Sequence, residues 1–103
     1  MKYSIALLLS LSACQQAMAV EDGQFENCNR IAGLAEQIMN TRQKGVPADK
    51  AYEVFNKEPN KEKRDFLMGM VTSAYQIPRY SVEENKRQAI ADFKDRTLVD
   101  CMK

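Results

Sequence analysis

The chain predicts an all-α fold: one small domain of about four helices, closed by a single disulfide between the first and last helices. Three observations carry this expectation. Apolar residues recur at helical spacing in separate stretches divided by Gly45, Pro47, Pro59 and Pro78. Strand signals are missing, with no alternating β-branched run and no hairpin pattern. Two cysteines, Cys28 and Cys101, bracket the domain and fall on apolar helix stripes.

The first residues have the form of an export signal. Lys2 supplies a positive start, and Ile5 to Ala13 make an apolar run too short to span a membrane. Gln15 and Gln16 follow, then Ala17-Met18-Ala19, a small-x-small pattern whose cleavage leaves a mature chain beginning at Val20. Residues 1–19 are therefore expected to be a signal peptide and residues 20–103 the helical domain. Leu11-Ser12-Ala13-Cys14 offers an alternative, a lipoprotein signal in which acylated Cys14 anchors the domain to a membrane face. Ordinary cleavage is preferred, because the polar stretch before Ala19 has the expected form. The expected location is thus periplasmic or secreted, with a lipid-anchored envelope protein as the alternative.

Removing 19 of the 103 residues leaves 84, a size at which core burial alone gives marginal stability and a covalent staple is expected. Either form of processing leaves Cys28 and Cys101 as the unmodified cysteines, in a compartment that permits disulfides, so they are expected to pair. Closing a loop of about 74 residues contributes roughly 4 kcal/mol in the chain-entropy treatment.

The elements follow in order. From Phe25 to Lys44, Cys28, Ile31, Ala32, Ala35, Ile38 and Met39 form one apolar stripe, with Gly45 suited to the left-handed residue that closes a helix. Val46-Pro47 breaks the chain and allows a fresh start, since proline is tolerated at a first helical position. A shorter second helix carries Ala51, Tyr52, Val54 and Phe55 and stops before Pro59. Asn60 is a good cap for a third helix whose inner face is Phe66, Leu67, Met70, Val71, Ala74 and Tyr75, ended by Pro78. Gly69 inside it implies either close approach of another helix or a tolerated defect. Ser81-Val82-Glu83-Glu84 reads as a capping box opening a fourth helix to about Met102, lined by Ile90, Phe93, Thr97 and Cys101, with Ala89 and Val82 beside them.

Charge and chemistry narrow the function. With Lys2 removed, fourteen basic residues face fourteen acidic ones, and Lys57, Glu58, Lys61, Glu62, Lys63, Arg64 and Asp65 mix the two signs along a solvated face. No nucleic-acid partner is expected. The chain has no histidine, which removes the usual general base and, with only two distant cysteines, argues against a zinc site. The carboxylates show no pattern that requires a catalytic pair, and no phosphate loop, dinucleotide fingerprint or calcium loop is present. No cofactor and no metal are expected.

Two segments depart from the pattern of helix faces, Thr41 to Val46 and Ala74 to Tyr80. Their functional interpretation is a partner-binding surface at Gln76, Arg79 and Tyr80, because tyrosine and arginine are enriched at binding hot spots. Their structural interpretation, which is preferred, is that Gly45 and Pro78 stop helices, Tyr75 faces inward, and Arg79 and Tyr80 cover a helix junction.

At these residues the chain resembles a group of small exported helical proteins of bacteria and their phages, with two bracketing cysteines and no assigned activity. The shared features are Cys28 in a first helix, Arg42-Gln43-x-Gly45-Val46 at its end, Ala74-Tyr75 with Pro78 after the third helix, and Phe93 and Cys101 in the last. The resemblance implies export and the helical fold, and no mechanism. The leading functional expectation is a non-enzymatic envelope protein that binds another protein, as an inhibitor, immunity or accessory factor. A periplasmic stress chaperone is the alternative, although without histidine nothing titrates between pH 5 and 8 in the unperturbed case. A carboxylate-based enzyme is less favoured.

Overall fold

The computed structural model describes the backbone of residues 2–103 and the side chains from Gly23 onward. The chain forms four helices, α1 (Lys2–Gln43), α2 (Ala48–Asn56), α3 (Lys61–Tyr75) and α4 (Glu83–Met102), with no strand among the described residues. The helix expected to begin at Phe25 continues upstream, because no proline interrupts the chain there and one glycine, Gly23, does not break a helix by itself. Cleavage after Ala19 and acylation of Cys14 concern residues whose side chains lie outside the described part.

The turn after α1 is set by Gly45, whose φ of 88° is the left-handed conformation that glycine adopts without penalty. Pro47 occupies the N-cap of α2, one residue before the first-turn position expected for it. α2 gives Ala51 to the core and half-buries Tyr52 and Phe55, whereas Val54 lies on its flank and is exposed. Asn60 caps α3 as its residue type predicts: its Oδ1 accepts from the Lys63 N–H at 3.0 Å. α3 ends at Tyr75, with Gln76 as C-cap, before Pro78 is reached.

The capping box expected at Ser81 does not form. Val82 is the N-cap of α4, extended and without a side-chain cap, and it is exposed rather than on the inner face. The cause lies just upstream, where Tyr80 is tied to α1 and the chain remains extended past it, so that Ser81 falls one residue too early.

α4 lies along α1 over its most extensive helix contact, and small residues make this possible. Cys28, Ala32 and Ala35 on α1 and Ala89 on α4 are buried and let the two backbones approach. The Cys28–Cys101 disulfide joins the two helices, with Cα atoms 5.6 Å apart. Lys94 and Glu36 pair across the same seam at 2.8 Å. Toward the other end of α1 the core widens around Ile38, Met39, Ala51, Met70, Val71, Ala74 and Phe93. Both α3 and α4 rest on α1 but scarcely touch each other.

Candidate functional site

The two segments that stand apart from the helix pattern meet each other. α1 ends with carbonyls that have no partner within the helix, and the 77–80 segment and α4 supply them. Arg79 Nε donates to the Gln43 carbonyl at 3.3 Å and its Nη2 to the Lys44 carbonyl at 3.4 Å; Lys86 Nζ also donates to the Gln43 carbonyl, at 3.2 Å. Two cations at a helix C-terminus match the negative end of its dipole. In the other direction, Arg42 Nε donates to the Ile77 carbonyl at 3.0 Å and its guanidinium lies 5.1 Å from the centre of the Tyr75 ring. The Tyr75 hydroxyl donates to the Val46 carbonyl at 2.7 Å, and burial pushes its pKa upward.

Gln43 sits at the centre of this junction and is the one buried polar residue among those described. Its Nε2 donates to the Pro78 carbonyl, and its Oε1 accepts from the Tyr80 N–H, both at 2.9 Å. Sequence reasoning placed Gln43 in this segment without singling it out. A glutamine in the last turn of a helix is usually solvated, so the available signal was only its position between the inward-facing Met39 and Gly45.

The candidate binding residues Gln76, Arg79 and Tyr80 are not gathered into one site. Arg79 and the Tyr80 backbone are committed to the junction, as the structural interpretation expects, and their side chains line a shallow hollow with Ser81 and Lys86. Gln76 faces elsewhere, on the rim of a much larger groove.

That groove, about 720 Å³, runs between α3 and α4 because the two helices share α1 as a floor without closing on each other. Ile31, Met70, Ile77 and Phe93 are its apolar lining. On the α3 side stand Phe66, Gly69 and Ser73; on the α4 side stand Arg96, Thr97 and the disulfide at Cys101. Phe66, expected on the inner face, is half exposed here. Gly69 is not a point of close helix approach, since a Cβ built on it meets no atom within 4 Å. The groove's carboxylates are Asp65 and Asp100, paired with Lys61 at 2.8 Å and Lys103 at 3.3 Å. The hydrogen bond and charge of Lys61 hold the Asp65 carboxyl below its ordinary range.

Among the described residues no three histidine, cysteine, aspartate or glutamate side chains converge as a metal site, and no helix is long and apolar enough to cross a membrane. Comparison with protein-family models, curated proteins and solved structures finds no match to this chain.

Proposed function

We propose that this is an exported, non-enzymatic envelope protein that binds a segment of another protein in the groove between α3 and α4. The observation that carries this reading is the groove, an apolar hollow of ligand-site size that no element of the described fold fills. Phe66 on its wall is a large aromatic side chain left half in water, the residue type that anchors interfaces. The disulfide supports an oxidising compartment, in agreement with the signal-like first residues. Gln76 belongs to this surface as a rim residue, while Arg79 and Tyr80 shape the junction beside it. Asp65, exposed and favoured in its charged form by Lys61, has the wrong environment for a general acid.

Photo-crosslinking tests the reading. A benzophenone amino acid is introduced at Ser73 or Gln76 in the full chain, and at Lys57 on exposed surface away from the groove, and the producing cells are irradiated. The groove positions should yield one discrete protein adduct and Lys57 none. Equal labelling from all three positions, or no adduct from the groove, contradicts the proposal. Intact mass of the same material should show a mature chain beginning at Val20; a lipid-modified Cys14 would replace free export by anchoring.

A further inference from the structure

The shape and charge of the groove specify its occupant more closely. Resting on the groove reading above, we infer that the partner segment is an amphipathic α-helix of about three turns whose apolar face lies in the groove and whose carboxylate meets Arg96.

Length is the first argument. The α3 wall is lined from Asp65 to Gln76, which is about 17 Å along a helix axis, the rise of about eleven helical residues. The second is depth. Gly69 and Ser73 lie one turn apart on this wall, and no described residue occupies the space above Gly69. That glycine costs the interior of α3 about 1 kcal/mol relative to alanine, and a side chain in its place would meet no described residue. Small side chains one turn apart let a second helix approach at the short end of the 8–10 Å range of interaxial distances. The volume between the walls accommodates the side chains of one apolar face, anchored at spacings of three and four, with the rest of the helix above the rim.

Charge supplies the third argument. Arg96 lines the groove and forms no ion pair among the described residues. Its helical neighbours four residues either way are both carboxylates, yet Asp92 accepts from Gln88 at 2.8 Å and Asp100 pairs with Lys103. Across the groove Asp65 is held by Lys61. The two carboxylates that line the groove, Asp65 and Asp100, therefore each have a lysine, and Arg96 is the lining charge with no ion-pair partner among the described residues. A carboxylate on the partner gives that fork a planar, bidentate acceptor.

The test uses the full chain with the photoreactive residue at Ser73 or Gln76 in turn, and the attachment points on the adduct are sequenced. The expected attachment points lie three or four residues apart on the partner. Arg96→Glu and Arg96→Gln should each lower adduct yield, the former by about tenfold or more, while Arg96→Lys, which keeps the charge but not the fork, falls between the parent and Arg96→Gln. Changing the nearest acidic residue of the partner to lysine should restore the Arg96→Glu adduct. Because Arg96 is exposed, all three variants should retain the parent melting temperature. Attachment at alternate residues, an adduct of two copies of this chain, a lipid adduct, or a yield indifferent to Arg96→Glu overturns the inference; of these, the first and last leave the groove reading standing. No adduct at any position overturns both.

Discussion

Replacing Gln43 by methionine tests the junction at its centre. Methionine keeps the length and much of the volume of the side chain but cannot donate to the Pro78 carbonyl and offers the Tyr80 N–H only a weakly accepting sulfur. Each group left without its partner costs about 1–3 kcal/mol when buried, and both lie in a partly solvated segment, so the expected loss is about 2–4 kcal/mol. For a domain of this size that corresponds to a melting temperature lower by about 10–20 °C. Thermal and urea unfolding followed by circular dichroism, with the disulfide intact, measure it. Gln43→Glu separates the two bonds. A carboxylate still accepts from Tyr80 but cannot donate to the Pro78 carbonyl, so its loss of stability isolates the Pro78 bond. A Gln43→Met protein melting within about 2 °C of the parent refutes the account of the junction.

Three further outcomes are expected. Cys28→Ser or Cys101→Ser should cost about 2–5 kcal/mol, and mass analysis of the non-reduced mature protein, beginning at Val20, should find one linked peptide pair and no free thiol. Gly69→Ala should stabilise by about 1 kcal/mol, read as a higher urea midpoint, because its Cβ enters open space. The raised pKa of Tyr75 means that its contribution is fully present below the ordinary phenol value of 10.0 and is lost as pH rises through the higher folded value. Lys94, raised by its hydrogen bond to Glu36, acts in the same direction above 10.5, so Tyr75→Phe should make alkaline unfolding shallower without abolishing it.

Local signals in the chain foretold the elements that local forces decide. The Cys28, Ala32, Ala35, Ile38 and Met39 stripe, the left-handed Gly45 and the Asn60 cap each rest on residues a few positions apart, and each is found as read. Ser81 failed as a cap because its geometry is dictated by Gln43, 38 positions earlier in the chain, through the Tyr80 N–H. The same distance hid the role of Gln43, whose partners lie about one helix pair away in sequence. Phe66 was read as part of a packed face, and close helix approach was one of two readings of Gly69, because periodicity reports which side of a helix is apolar. It does not report whether a neighbouring helix covers that side, and the gap between α3 and α4 arises only from how both lie on α1. Arg96 went unnoticed for a related reason: an arginine between two helical-spaced aspartates looks ion-paired, whereas Asp92 takes a hydrogen bond from Gln88 and Asp100 pairs with Lys103.

Filling the groove from within tests the central claim most directly. Gly69→Leu places a side chain in space that no described residue occupies and replaces a poor helix former with a good one, so the fold should be at least as stable as before. In the full chain carrying the photoreactive residue at Gln76, the adduct yield with and without Gly69→Leu is the quantity to measure. A fall of about tenfold or more with an unchanged or higher melting temperature is the predicted result. An undiminished adduct from the filled groove would contradict the account.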